Sequence, residues 1–125
     1  MEALILDASV LIGLLDTADR HHNRAVDDVE VADSEGHQLL LPASAYSETL
    51  VAFARARRLD EARRAITAMG ISIVPLNDRI AEQAAELRAS HDRLRLPDAI
   101  VLATARDLGG RLLSYDRRLS RLARS

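Results

Sequence analysis

Four carboxylates stand where an α/β chain could do chemistry: Asp7, Glu48, Asp98 and Asp116. Asp7 ends the unbroken apolar run of residues 3–6 and opens into a helix-like patch of Val10, Leu11, Ile12, Leu14 and Leu15. Open α/β sheets hold their ligands at the carboxyl ends of buried strands, where a strand turns into a helix. The same position also suits a helix cap, and Asp7 alone does not choose between them. Asp116 repeats the pattern after Leu112, Leu113, Ser114 and Tyr115. Glu48 falls early in the helix expected after a second apolar segment, and Asp98 begins another helix behind Pro97. Carboxylates crowded at one place repel each other, and a divalent cation relieves that repulsion. An all-oxygen donor set, without thiolates or a histidine pair at metal spacing, suits Mg²⁺ or Mn²⁺ rather than zinc.

The elements that must position these acids can be read in order. An apolar run of four residues bounded by a polar one suits a strand buried on both faces, here 3–6. A short helix follows over 9–15, then a polar turn and a helix over about 24–32. Gly36 marks a loop. Residues 38–41 form a second strand, stopped by Pro42. Ser44 is the expected cap of a helix over 45–58, and Asp60 that of a helix reaching Met69, closed by Gly70. Residues 71–74 form a third strand, stopped by Pro75. Asn77 or Asp78 caps a helix to about Ser90. Pro97 suits the first turn of a helix that ends at Gly109 and Gly110. Residues 112–115 form a fourth strand, and a short basic helix over 117–124 completes the chain.

Alternation of this kind argues for a parallel sheet with helices on both faces. All strands of such a sheet share one carboxyl edge, which gathers Asp7, Glu48 and Asp116. Asp98 does not follow from that rule, because its helix leads into a strand.

The length of 125 residues fits one domain, 1–125. A net charge of −2 gives no overall basic field for nucleic acid, though a local basic groove stays open. The chain has no cysteine, so disulfides, thiolate metal sites and cysteine nucleophiles are excluded. Every one of its Lys+Arg cations is an arginine, which removes Schiff-base chemistry and a P-loop lysine. Glu2 stands where a secretory signal would carry positive charge, and the apolar runs are too short to span a bilayer. No membrane association and a cytoplasmic location are therefore expected.

The segments Leu6-Asp7-Ala8-Ser9, Ser47-Glu48, Leu96-Pro97-Asp98-Ala99-Ile100-Val101-Leu102-Ala103 and Leu112-Leu113-Ser114-Tyr115-Asp116-Arg117-Arg118-Leu119 resemble the motifs of PIN-domain nucleases, most closely the VapC-type toxins of bacterial toxin–antitoxin pairs. The resemblance covers essentially the whole chain. It implies a PIN-like three-layer α/β/α sandwich whose sheet has the order 3-2-1-4-5. This chain stops soon after its fourth strand, so about four strands in the order 3-2-1-4 are expected, with the fifth edge strand missing. By resemblance, Asp7, Glu48, Asp98 and Asp116 form the acidic set that binds Mg²⁺ or Mn²⁺. Ser9 and Ser114 match the family's hydroxyl residues, and Asp98 owes its place at the site to the resemblance. The implied activity is metal-dependent endoribonuclease cleavage by the toxin of a type II pair. The implied partners are a cognate antitoxin, an RNA substrate and a second copy of the chain in a homodimer.

Weaker signals surround this set. Arg93 and Arg95, just ahead of Asp98, are placed to touch substrate. Arg55, Arg57, Arg58, Arg63 and Arg64 form a basic cluster, for which a solvated helix face is the commoner explanation than an RNA track. His21, His22, His37 and His91 are expected in surface or capping roles. A receiver-like phospho-switch is set aside, since Asp7 has no acidic neighbour and there is no lysine. The remaining alternative is a catalytically silent PIN-like module that binds a partner protein or RNA.

Overall fold

A computed structural model describes residues 2–124. Four strands, β1 (Ala3–Leu6), β2 (Gln38–Pro42), β3 (Ser72–Val74) and β4 (Arg111–Leu113), form one sheet in the order β3-β2-β1-β4. Every pairing is parallel, and the register sets Leu4 beside Leu39 on one flank and Arg111 on the other. Side chains alternate faces along a strand, yet Leu4, Ile5 and Leu6 in β1 are all buried. Both faces of the sheet are thus covered, which is the PIN-like α/β/α arrangement, with its four strands in the expected order.

The covering helices are α1 (Ala8–Leu15), α2 (His22–Ser34), α3 (Ala43–Arg55), α4 (Leu59–Ala68), α5 (Asp78–Ser90), α6 (Leu96–Leu108) and α7 (Arg117–Ala123). Among the described residues no helix is long and apolar enough to cross a membrane. Asn77 caps α5 as expected, its side chain accepting from the Ile80 amide at 2.9 Å. Gly109 ends α6 at φ 62, a left-handed conformation that glycine adopts without steric cost.

Several boundaries differ from the sequence reading, each for a local reason. β2 continues through Pro42, which stands opposite Val74 in β3. α3 therefore starts at Ala43, and Ser44 lies inside its first turn rather than capping it. α4 starts at Leu59, so Asp60 belongs to its first turn and pairs with Arg63. α2 gains a turn at its start, where His22 Nδ1 meets the Gly13 carbonyl at 2.7 Å. β4 ends at Leu113, whose carbonyl accepts from the Asp7 amide at 3.1 Å, while the Ser114 hydroxyl just beyond it donates to Asp7.

The close docking of β4 on β1 has a testable consequence. A Cβ at Gly110 would lie 2.9 Å from Ile5 Cγ1 and 3.0 Å from the Ala3 carbonyl oxygen. Gly110→Ala should lower the unfolding free energy by about 1–3 kcal/mol, as overpacking does, measured by urea titration. An unchanged midpoint would show that the β1–β4 contact is looser than these distances imply.

Candidate active site at the carboxyl edge of the sheet

Asp7 leaves the end of β1 at the N-cap position of α1, but its side chain makes no capping bond to the amides beyond the first residue of that helix. Its Oδ2 instead accepts from Ser114 Oγ at 2.7 Å and Ser9 Oγ at 3.1 Å. The residue is 5 % exposed. Burial raises its pKa above the ordinary 3.8, and the neighbouring charge of Asp98 adds to the rise. Hydrogen bonds from Ser114, the Ala8 amide and Ser9 oppose it. A carboxylate held where its charge is costly, and spared from capping, is a common feature of functional sites.

Asp98 reaches the same edge by a route that local spacing does not reveal. The Ser44 hydroxyl, at the start of α3, donates to the Pro97 carbonyl at 3.0 Å, and this ties the start of α6 to the end of β2. Leu94 anchors the preceding loop in the core, and Arg118 of α7 donates to the Arg93 carbonyl at 3.2 Å. The first turn of α6 is thereby held beside β1, and Asp98 benefits from the positive end of the helix dipole.

Glu48 faces this turn from α3. The Arg95 guanidinium spans the two acids, 2.8 Å from Glu48 Oε2 and 3.4 Å from Asp98 Oδ2. Those bonds, to Glu48 first and then Asp98, raise the Arg95 pKa, so it is cationic at any working pH. The other carboxylate oxygen, Glu48 Oε1, is buried with no hydrogen-bond partner among the described residues. Arg93 is held by its backbone carbonyl, and its side chain is exposed.

Asp116 is placed differently. It is exposed and caps α7, Oδ1 accepting from the Leu119 amide at 3.1 Å. Its own amide donates to Ser114 Oγ at 3.1 Å. Ser114 is therefore the link: its hydroxyl donates to Asp7 and accepts from Asp116. Ser9 has a similar dual role, donating to Asp7 and accepting from the Tyr115 amide at 3.0 Å.

The structure also contains residues that pattern reading does not single out. Ser44 is one. Another is Asp28, which accepts from the Tyr115 hydroxyl at 2.8 Å across a sequence separation of 87. Burial, then the bond to Asp28, pushes the Tyr115 phenol well above its usual range. Neither contact leaves a short-range signal. The histidines outside this group bond elsewhere, His22 to the Gly13 carbonyl, His91 to the Leu87 carbonyl and His37 to Glu35 and the Glu2 amide.

Among the described residues, no three His, Asp or Glu side chains stand close enough to hold a metal ion as they are. Arg95 lies between two of the acids. The donor chemistry nonetheless fits a hard divalent cation: all oxygen, with one buried orphan at Glu48 Oε1 and the charge of Asp7 pressed by that of Asp98.

Comparison with known proteins agrees with this architecture. VapC20 of Mycobacterium tuberculosis, described as a Sarcin-Ricin loop cleaving toxin, superposes with a TM-score of 0.76 at 18% identity, over 95% of this chain and 94% of that one. A toxin–antitoxin complex from Klebsiella pneumoniae gives 0.68 at 24% identity, over 90% and 86%. VapBC-1 of nontypeable Haemophilus influenzae gives 0.72 at 13% identity, over 97% and 91%. No curated protein matches by sequence. The family model of the PIN domain matches residues 4–125, nearly the whole length, and the chain belongs to the PIN domain family.

Proposed function

We propose that this protein is a Mg²⁺- or Mn²⁺-dependent endoribonuclease, the toxin of a type II toxin–antitoxin pair, neutralised by a cognate antitoxin and acting as a cytoplasmic homodimer. The observation that carries the reading is Asp7: a buried carboxylate at the sheet edge, oriented by two serines and pressed by Asp98. The toxin and antitoxin roles are supported by the structural neighbours, a loop-cleaving toxin and a toxin–antitoxin complex.

A divalent cation at this edge supplies Lewis acidity, making water a better nucleophile near neutral pH and neutralising charge on the phosphate. Asp7, Asp98 and Glu48 would hold it, with Asp116 close by through Ser114. Ser9 and Ser114 fix the direction of the Asp7 carboxylate, so its charge is aimed before substrate arrives. Glu48 has a free buried oxygen with which to ligate or to orient the attacking water. Arg95 pairs with Glu48 and Asp98, and it would be available to a phosphate if those acids held a cation.

Arg95→Gln therefore tests the metal site. It should bind Mn²⁺ two- to fivefold more tightly in titration calorimetry, since an exposed ion pair is worth up to about 1 kcal/mol. Equal or weaker binding would mean that Arg95 does not compete with the cation. For the toxin role, expression in a bacterial host should arrest growth, and co-expression of the adjacent gene's product should restore it. Unimpaired growth under strong expression would contradict a toxin.

A further inference from the structure

The net charge is −2, yet the arginines are not spread evenly. Beside the candidate site lies a cleft of about 400 Å³ walled by Arg20, Arg24, Arg117, Arg121 and Arg124, with Ser114 and Tyr115 also lining it. Arg117, Arg121 and Arg124 recur at i, i+4 and i+7, which places them along one face of α7. Arg20 and Arg24 approach from the start of α2. No acidic residue lines the cleft. Asp28 lies behind it, occupied by the Tyr115 hydroxyl and facing Arg24 at 3.8 Å. Among the described residues Arg117 and Arg124 form no ion pair. A concave wall lined by five arginines and no acid concentrates its field on an anion.

The cleft borders the carboxylates at Ser114, which lines it and donates to Asp7. Its two aromatic rings, Tyr115 and His21, already lie against each other. The Arg24 guanidinium lies 4.4 Å from the Tyr115 ring centre, the His21 ring 4.8 Å away, and the hydroxyl is fixed by Asp28. A ring held in this way is not a free platform for stacking a base. The basic cluster near α4 offers less: Arg58 is paired with Glu61 and Arg63 with Asp60.

We infer that this arginine-walled cleft binds the phosphates of the RNA strand flanking the scissile bond, reading backbone charge and not base identity. The inference rests on the ribonuclease reading above and locates where its substrate lies. Phosphate contacts position a strand without carrying sequence information.

The test is fluorescence anisotropy with labelled single-stranded oligouridine and oligoadenosine, in chelator, over a range of salt. Arg117→Gln/Arg121→Gln is compared with Arg63→Gln/Arg64→Gln. The α7 pair should weaken both RNAs by roughly tenfold. It should also reduce the slope of log affinity against log salt by about 1.4, at about 0.7 per single-strand phosphate contact. The α4 pair should match the parent. Loss confined to the α4 pair, or to one of the two RNAs, would overturn the inference. Unchanged RNA binding with lost binding of polyglutamate would make the cleft an acidic-peptide site and overturn it too. Parent cleavage of RNA with Mn²⁺, run in parallel, separates the two claims. Cleavage with an unaltered salt slope rejects the cleft alone, and absence of cleavage rejects the nuclease reading.

Discussion

Asp98→Asn should fold as the parent does and cleave RNA at least about a hundredfold more slowly. The size follows from what smaller disturbances do: removing a group that only supports a metal ligand typically costs 10–100-fold. Asp98 is expected to do more than support, since its charge reaches the buried Asp7 and it shares Arg95 with Glu48. The structural cost should be small. Asparagine keeps the size and the hydrogen-bonding oxygen, and what is lost is a 3.4 Å contact to an exposed arginine, worth no more than about 1 kcal/mol. Single-turnover cleavage and thermal melting check both halves. Full activity in a folded variant would remove Asp98 from the site.

Asp7→Asn should show the strain of the site in its stability. Burial raises the Asp7 pKa in the folded chain above the ordinary 3.8. The folded state therefore holds that proton more tightly than the unfolded state does. Parent stability must fall as pH rises from the unfolded value through the folded one, because ionisation there charges a buried group. The variant lacks this titration. The melting temperature of Asp7→Asn minus that of the parent should thus increase from pH 4 to pH 7. Adding Mg²⁺ at pH 7 should raise the parent's melting temperature and leave the variant's nearly unchanged, since a ligand stabilises only the state that binds it. A difference flat in pH would mean that Asp7 is not held at an energetic cost.

Much of this site is legible in the sequence because its parts are local. A four-residue apolar run ended by Asp7 is enough to place a buried strand and the acid at its tip. Asn77 and Gly109 mark helix ends through bonds and backbone angles within a single turn. The misread boundaries share another cause. Ser44 has the chemistry of a cap, but a partner 53 residues away, the Pro97 carbonyl, claims its hydroxyl. That bond also ties the start of α6, and with it Asp98, to the end of β2, a contact that strand order could not supply. Ser114, read as a strand residue, lies beyond β4 and bonds Asp7 across 107 residues. Tyr115 reads as a strand residue, whereas its ring and hydroxyl are fixed by Arg24, His21 and Asp28 from α2 and its approach. Tertiary hydrogen bonds, not propensities, decide these positions.

The most direct measurement is cleavage of a mixed RNA pool by the purified protein, with Mg²⁺, with Mn²⁺ and with chelator, beside Asp7→Asn. A metal-dependent nuclease working at this edge should cleave with either cation, stop in chelator, and lose activity in the variant. Cleavage that persists in chelator or in Asp7→Asn would contradict the site. No cleavage of the pool or of structured RNAs such as tRNA, under any condition, would contradict the nuclease itself and leave a PIN domain that only binds.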